Sequence, residues 1–430
     1  MKHKHLIWSS IVLLPLMFLL ASCGKKANNS ASTSSKPVTV EVWTAMTGQP
    51  ANQFQQIVND YNKSQKKYKV VATSQGHYNQ LTQKVMAAAK SNTLPAIVQL
   101  SYTNTPDFVK NGLLEPLNSF INGKNGLSKS QLNDIYPEFL NSMQYKGKYY
   151  TVPFNKAPRI LFCNKNLLDK YGLSIPNSWN DVVNDAKKVK NSGIVGLGFD
   201  RNCNIGFSGI IQEFGNPLIT KNLRVNFNTP TTLKAMNFFV DNIKNGYMET
   251  AGSDIYYYKK FLNGKTLFFM GSSSNISNIM KNKTNGFKCV TSLVPSQNGK
   301  RVVAIGGADL MMMKNVSKDE QNGAWSFMKY ILSPKVTAKW SELSGYVPVV
   351  KSAVNLKSYQ DYLSKNPYQK ATIESLKYGM EPVAFENYPG YQRSYLNGLT
   401  QMLTLQKSPS QVLPELQNDA EQAVKGNKVS

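Results

Sequence analysis

Residues 38–43 have the sequence Val38-Thr39-Val40-Glu41-Val42-Trp43, in which apolar and other side chains alternate along the chain. This period of two predicts a β-strand. Apolar residues at helical spacing follow, at Phe54, Ile57, Val58 and Tyr61. The order then repeats, with a strand at 68–72, a helix through Leu81, Val85 and Ala88, and a strand at 96–100. Repeated strand–helix–strand order predicts an α/β fold with a parallel or mixed sheet covered on both faces.

The loops that follow these strands are the first place to expect a ligand, because open sheets of this kind bind ligands outside the carboxyl ends of their strands. These loops contain residues 44–49, Gly76-His77-Tyr78 and residues 101–105. A second block of alternating elements begins near Tyr149, and Asn228-Thr229-Pro230 predicts the start of one of its helices. A chain of 430 residues has a natural size for two α/β lobes.

The first 22 residues have the layout of a signal peptide. Lys2 and Lys4 precede an apolar run from Leu6 to Leu20, and the run ends in Leu20-Ala21-Ser22-Cys23. The resemblance to bacterial lipoprotein signals implies cleavage before Cys23 and lipidation of its thiol. A permanent membrane span is the weaker alternative, because a spanning helix needs about 20 apolar residues. Residues 23–37 are polar and small, which predicts a flexible tether.

The chain is strongly basic, with a formal net charge of +25. Removal of residues 1–22 leaves 48 basic and 25 acidic residues, a net charge of +23. The lysines are scattered singly, so we expect no nucleic-acid partner. A basic surface suited to an anionic cell envelope and an anionic ligand remain open as explanations.

The inventory of reactive side chains argues against an enzyme or a metal site. Beyond Cys23, the chain has Cys163, Cys203 and Cys289, far apart and without CxxC pairing, and His77 is the only histidine after the signal. We expect no disulfide framework, no bound metal and no cofactor. Two partial motifs also fail. Asn263-Gly264-Lys265-Thr266 lacks the upstream glycine of a P-loop, and Gly206-Phe207-Ser208-Gly209 is one residue short of a nucleophile elbow.

Ordered motifs across most of the chain resemble the extracellular solute-binding proteins that serve carbohydrate-type ABC importers. The motifs are Gly112-Leu113-Leu114-Glu115-Pro116-Leu117, residues 147–155, residues 162–168, Pro176-Asn177-Ser178-Trp179, residues 263–266, Ile305-Gly306-Gly307-Ala308 and residues 345–349. The resemblance implies a two-lobed periplasmic-binding-protein-like fold of type II, like that of maltose-binding proteins, with a hinge and an interlobe cleft. It implies an N-terminal lobe of residues 38–150 plus about 305–345, and a C-terminal lobe of residues 151–304 plus about 346–430.

Within that family the chain looks most like the branch that binds glycerol-3-phosphate and glycerophosphodiesters. The resemblance implies ligand contacts at Tyr78, at Ser272, Ser273 or Ser274, at Gly307 and at Tyr346. The branch's acidic residue aligns near Tyr102, and its serine after Pro-Phe-Asn is replaced by Lys156 or Ala157. Its phosphate-binding arginine falls on either Gln392 or Arg393. We add Trp43 as an aromatic face and Arg159 as a second guanidinium that could grip phosphate.

The expected function is ligand capture outside the cell, with no catalysis. A small polar ligand would be passed to the permease subunits of an ABC importer, which a cytoplasmic ATPase drives. The protein would be anchored through Cys23 to the outer face of the bacterial cell membrane. An oligosaccharide or another polyol stays open as the ligand. From another class, a surface adhesin that grips wall polymers through the basic surface also stays open.

Overall fold

The computed structural model describes residues 36–427. The predicted signal peptide and Cys23 lie outside the described residues, as does the predicted tether apart from residues 36 and 37. Within the described part, no helix is both long and apolar enough to span a bilayer.

The strands follow the predicted order at the start of the chain. They are β1 (Val38–Thr44), β2 (Tyr68–Ser74), β3 (Ile97–Leu100), β4 (Gln144–Tyr145), β5 (Lys148–Tyr149), β6 (Thr151–Asn164), β7 (Val195–Phe199), β8 (Met248–Thr250), β9 (Thr266–Ser272), β10 (Cys289–Ser292), β11 (Val303–Met312) and β12 (Gly379–Met380). The strands predicted at 38–43, 68–72 and 96–100 are therefore confirmed to within two residues.

Helices fill the intervals between the strands. In the first half they are α1 (Gln49–Ser64), α2 (Tyr78–Ser91), α3 (Thr105–Lys110), α4 (Asn118–Ile121), α5 (Lys129–Asp134), α6 (Pro137–Ser142), α7 (Lys165–Tyr171), α8 (Trp179–Val189) and α9 (Asn204–Phe214). In the second half they are α10 (Pro230–Lys244), α11 (Tyr258–Leu262), α12 (Asn275–Asn282), α13 (Lys318–Ile331), α14 (Pro334–Ser344), α15 (Lys351–Val354), α16 (Lys357–Lys365), α17 (Lys370–Glu374), α18 (Tyr388–Leu403) and α19 (Pro409–Val424).

Local chemistry explains where the predicted helices begin. Thr229 caps α10, because its Oγ1 accepts a hydrogen bond from the amide of Thr232 at 3.2 Å, and Pro230 occupies the first turn. In α1 the predicted residues Phe54, Ile57, Val58 and Tyr61 form the buried face. The helical period read from the sequence therefore matches the face that packs on the sheet.

The main sheet is mixed, with strand order β2-β1-β3-β11-β6-β9-β7-β8. Strand β1 is parallel to β2 and β3, and β7 is parallel to β8 and β9. Strands β11 and β6 are antiparallel to each other and lie between the two parallel sets. The sheet is thus two parallel halves joined through one long antiparallel pair.

The apolar residues form separate cores on the two halves. The first core gathers residues of β1, α1, α13 and α14, among them Val42, Phe54, Phe154 and Trp340. The second core gathers residues of β7, α9, α10 and α18, among them Phe199, Phe207, Phe239 and Tyr395. Smaller clusters flank each core.

Three segments run from one core to the other. Strand β6 contributes Phe154 to the first core and Leu161 to the second, and β11 contributes Leu310 to the first and Val303 to the second. The third passes from Leu376 in the first core to Phe385 in the second. We call these the first, second and third crossings.

The third crossing differs from the boundary expected near residue 346. Val347, Val349 and Tyr359 pack in the first core, and the chain joins the second core only at Phe385. The apolar side chains of residues 347–376 pack in the first core. The motifs in the sequence do not indicate which of the two cores these side chains join.

Gly307 is where the first two crossings approach most closely. Its φ is +125°, and a Cβ at this position would lie 1.8 Å from the backbone oxygen of Asn155. Only glycine accepts both this backbone conformation and this contact. Gly306, one residue earlier, has an ordinary φ, and a Cβ there would lie 3.6 Å from Ile205.

We therefore predict that Gly307→Ala destabilises the protein by roughly 3 kcal/mol or more, because it adds backbone strain and a backbone clash. The matched control Gly306→Ala should change the free energy of unfolding by less than about 1 kcal/mol. Urea denaturation followed by circular dichroism checks both. Equal stability of the two variants would contradict the close approach at Gly307.

Candidate functional site

Tyr78, Gln99 and Asn155 form a hydrogen-bonded network on the wall built by the first core. The Tyr78 hydroxyl accepts from Gln99 Nε2 at 3.2 Å and from Asn155 Nδ2 at 3.5 Å. Gln99 Nε2 also donates to Asn155 Oδ1 at 2.9 Å, and its Oε1 accepts from the amide of Ala45 at 2.9 Å. The Tyr78 side chain is 41% exposed, whereas Gln99 and Asn155 are fully buried. The ring is thus held by a buried polar base while remaining accessible.

Tyr346 lies beside this network. Its ring stacks on Trp340, with 5.7 Å between ring centroids and 9° between planes. Burial raises the pKa of the Tyr346 hydroxyl; Tyr78 raises it further, and hydrogen bonding to Asn155 opposes the rise. The amide of Val347 donates to the carbonyl of Lys156 at 2.9 Å, which holds Tyr346 next to the strand that carries Asn155.

The three serines after β9 form a tight turn beside Tyr346. Ser272 Oγ and Ser274 Oγ are 2.8 Å apart, and the amide of Ser273 donates to the carbonyl of Pro158 at 3.0 Å. Ser273 is fully buried, and its hydroxyl has no hydrogen-bond partner within the described residues. A Cβ on Gly345 would lie 2.9 Å from the Ser273 carbonyl oxygen, so this turn packs directly against the residue before Tyr346.

Arg159 lies on the wall built by the second core. It pairs in register with Ser272 across β6 and β9, is partly buried, and forms neither an ion pair nor a side-chain hydrogen bond with another described residue. Its charge acts on Asp200 and Tyr256. Burial raises the pKa of Asp200 to about 6, against the opposing effects of the Tyr257 amide and Arg159.

Tyr256 lies on a loop of the second wall that its neighbour Tyr257 anchors. Its neighbour Tyr257 is fully buried and donates its amide to Asp200 Oδ1 at 2.9 Å, which fixes the loop. Tyr256 itself is 52% exposed. Burial raises the pKa of its hydroxyl, and the charges of Asp200 and Tyr78 raise it further. An anchored loop therefore presents an exposed tyrosine.

The remaining predicted residues lie in different surroundings. Trp43 is partly buried and packs on a small apolar cluster under α2. Tyr102 is buried and its hydroxyl donates to the carbonyl of Pro382, so that hydroxyl is already engaged. Arg393 is exposed on α18, and no hydrogen bond or ion pair connects it with Tyr78 or Tyr346 in the described part of the chain. The ligand roles of all these residues stay predictions.

Sequence reasoning assigned no role to Gln99, Asn155, Asp200 or Tyr256. Gln99 carried a usable signal, because it is a polar residue inside the apolar strand 96–100. Asn155 lies in one of the motifs, but its hydrogen-bond partner Gln99 could be identified only from the sheet, in which β11 lies between β3 and β6. Tyr256 stands in a run of tyrosines, and only the burial of Tyr257 decides which one faces outwards.

The family model for bacterial extracellular solute-binding proteins matches residues 56–366. The chain belongs to this family. The protein is accordingly an extracellular solute-binding protein of an ABC importer, and not an enzyme.

Similar sequences include sn-glycerol-3-phosphate-binding proteins. The chain is 25% identical over 349 residues to the sn-glycerol-3-phosphate-binding periplasmic protein UgpB of Yersinia pseudotuberculosis, covering 76% of this chain and 78% of the relative. It is 26% identical over 350 residues to UgpB of Escherichia coli strain K12, with the same shares covered. The predicted resemblance to a carbohydrate-class solute-binding protein is confirmed.

Solved structures of similar proteins confirm the fold. UgpB from Mycobacterium tuberculosis in complex with glycerophosphocholine matches with a TM-score of 0.80 and 22% identity, over 91% of this chain and 98% of that one. The cyclic α-maltosyl-1,6-maltose binding protein of Arthrobacter globiformis matches with a TM-score of 0.78 and 22% identity, over 90% and 99%. The solute-binding protein therefore has the predicted two-lobed, maltose-binding-protein-like fold.

We predict that Gln99→Leu lowers the free energy of unfolding by about 2 kcal/mol or more, because it leaves the buried Ala45 amide and Asn155 amide oxygen without partners. Gln83 is exposed on α2, so the matched control Gln83→Leu should change the value by less than about 0.5 kcal/mol. Thermal and urea denaturation check both. A fully stable Gln99→Leu variant would contradict the network under Tyr78.

Proposed function

We propose that this protein captures sn-glycerol-3-phosphate or a glycerophosphodiester in the interlobe cleft and delivers it to the permease of an ABC importer. Relatives that bind sn-glycerol-3-phosphate support the ligand class, because they match over three quarters of the chain. In this proposal the first lobe contributes Tyr78 and the second contributes Arg159 and Ser272–Ser274. A ligand held from both sides favours closure, which the permease can recognise.

The proposal depends most on Arg159, which would bind the phosphate. A phosphate oxygen needs charged donors to replace its water, and a guanidinium offers two parallel donors. Arg159 has no ion-pair partner among the described residues, yet it lies beside the serine turn and opposite the Tyr78 network. We therefore assign the anion to Arg159 in preference to Arg393, which is exposed on α18.

The groups around Arg159 suit a hydroxyl-bearing ligand. Tyr78, Tyr256 and Tyr346 each combine a flat apolar face with a hydroxyl, and Ser272 and Ser274 add further donors and acceptors. The chain has no acidic residue where the relatives' branch would hold the glycerol hydroxyls. The tyrosine hydroxyls and Asn155 take that role in the proposed complex.

An oligosaccharide is the second candidate, favoured by one observation. Tyr78 and Tyr256 are both large, largely accessible and mutually close, as stacking on the apolar face of a sugar ring requires. With this ligand Arg159 would donate to ring hydroxyls rather than to phosphate.

Two further parts of the proposal concern the chain's organisation. Lipid on Cys23 would anchor the protein to the outer face of the membrane, which the motif ending in Leu20-Ala21-Ser22-Cys23 supports. The first lobe would contain residues 38–150 and about 305–376, and the second would contain residues 159–302 and 385–427. The core membership of Leu376 and Phe385 supports this division.

We predict that glycerophosphocholine raises the thermal midpoint of the full chain and that Arg159→Ala weakens its binding about tenfold or more, since hydrogen bonds to charged groups contribute about 1.5–3 kcal/mol. Arg393→Ala is the matched control and should bind like the unaltered protein. Isothermal titration calorimetry measures both affinities.

Other outcomes separate the alternatives. Loss of binding in Arg393→Ala but not in Arg159→Ala would indicate that Arg393, on α18, binds the anion. A shift with maltotriose and none with any glycerol phosphate would establish the saccharide reading. No shift across both ligand classes would leave the adhesin as the better hypothesis.

A second prediction uses the titration of Asp200. Its carboxyl has a pKa raised to about 6, so it is ionised at pH 7 and neutral at pH 5. Ionised Asp200 offsets the charge of Arg159, so affinity for glycerophosphocholine, whose phosphodiester stays ionised, should rise as pH falls from 7 to 5. Calorimetry at each pH checks this.

The control is Asp200→Asn, which keeps an oxygen for the Tyr257 amide and removes the charge. Its affinity should vary less with pH. Both proteins should also carry His77→Asn, so that no histidine side chain lies beside Tyr78 in the comparison. A pH dependence unchanged by Asp200→Asn would contradict the coupling to Arg159.

A further inference from the structure

Each of the three crossings contributes one charged side chain to a single buried cluster. Lys156 comes from β6, Asp309 from β11, and Glu381 directly follows β12. Lys156 Nζ lies 2.7 Å from Asp309 Oδ1 and 2.7 Å from Glu381 Oε1. The three side chains are 1%, 0% and 7% exposed. We call Lys156, Asp309 and Glu381 the crossing cluster.

The crossing cluster contains fewer cationic than acidic groups. Burial lowers the pKa of Lys156, but the two carboxylates outweigh it and the pKa is raised, so the ammonium stays charged. Burial raises the pKa of Glu381, and although Lys156 opposes the rise, the charge of Asp309 adds to it. One cation therefore faces two carboxyl groups in a desolvated position. Such an arrangement is a poor source of stability, which points to another reason for its presence.

Two members of the cluster are fixed to each other by the sheet. Lys156 pairs with Gly307 and Asp309 pairs with Pro153 in the register of β6 and β11. Asp309 Oδ2 also accepts from Thr151 Oγ1 at 2.6 Å. The contact between Lys156 and Asp309 therefore belongs to the antiparallel pair and persists as long as that pair does.

Glu381 is the most exposed member of the cluster, with 7% of its side chain accessible. Its Oε2 makes no hydrogen bond within the described residues, and its side chain lines a cavity of about 260 Å³ together with Ser208, Leu218 and Tyr388. Besides Lys156, the third crossing is attached here through the pairing of β12 with β11 and through Pro382, whose carbonyl accepts from Tyr102. The Tyr102 ring lies 4.9 Å from Lys156 Nζ, so the attachments through Glu381 and Pro382 meet at the same ammonium.

In this structure the crossing cluster is formed while the two walls of the cleft are in contact. Gln49 Nε2, at the start of α1, donates to Ser277 Oγ of α12 at 3.0 Å. Helix α1 packs in the first core, and α12 packs in the cluster beside the second.

We propose that the crossing cluster holds the third crossing against the other two and thereby favours the closed arrangement of the cleft. Lys156, Asp309 and Glu381 are positioning residues, and they act on binding without contacting the ligand. Loss of the Glu381 charge removes one of the attachments of the third crossing and moves the population towards the open state. Apparent affinity then falls by the same factor as the closed population.

The test is Glu381→Gln in the full, ligand-free chain, measured by small-angle X-ray scattering. Glutamine keeps the shape, removes one negative charge, and leaves Lys156 paired with Asp309. We expect a larger radius of gyration and an unchanged or higher thermal midpoint. Glu374→Gln is the control, because Glu374 is an exposed carboxylate on α17, shortly before the third crossing, and it should leave the radius unchanged.

Glu381→Asp keeps the charge and should restore a radius close to that of the unaltered protein. An unchanged radius in Glu381→Gln overturns the proposal. A larger radius accompanied by a lower thermal midpoint also overturns it, because the cluster would then be a structural element only.

A second measurement separates this proposal from the ligand assignment. Where glycerophosphocholine binds the unaltered protein, Glu381→Gln should weaken its binding about fivefold, within the usual range of coupling between two states. Unchanged affinity contradicts the proposed link to closure. Absence of binding to every variant overturns only the ligand class, since the scattering result is obtained without ligand.

Discussion

The antiparallel pairing of β6 with β11 is the interaction on which the rest of the structure depends. These two strands join the parallel half that contains β1 to the parallel half that contains β7. Each strand places apolar residues in both cores, so neither core is complete without them. Gly307 lets the pair approach closely at its centre, where a side chain would meet the backbone of Asn155. Both the cleft and the charged cluster beneath it are consequences of this pair.

The same pair organises the binding residues in two layers. Asn155 and Lys156 are neighbours on β6 and point to different surroundings, as successive residues of a strand do. Asn155 joins Gln99 and Tyr78 in the polar base of the cleft, while Lys156 joins Asp309 and Glu381 among the crossings. A change at this strand therefore acts on ligand contacts and on lobe movement together.

The family and the fold are established, whereas the proposed ligand depends on a small number of side chains. Arg159, the serine turn and the tyrosines suit both a glycerol phosphate and a saccharide, because both ligands need donors, acceptors and flat apolar faces. The charge around Arg159 distinguishes them. In the proposed complex, a guanidinium without an ion-pair partner among the described residues favours an anion, and burial raises the pKa of the nearby Asp200 carboxyl to about 6.

The sequence by itself determined the α/β elements at the start of the chain, because alternation in 38–43 and helical spacing from Phe54 to Tyr61 depend only on which side chains must be buried. Its ordered motifs also determined the family. Tertiary structure alone decided that Tyr102 is engaged by Pro382, that Tyr256 faces the cleft, and that residues 347–376 belong to the first core. It alone brought Lys156, Asp309 and Glu381 together. Those outcomes depend on which distant segments lie side by side in the fold. The local side-chain pattern carries no record of contacts between residues far apart in the chain, such as Lys156 and Glu381, which are separated by 225 positions.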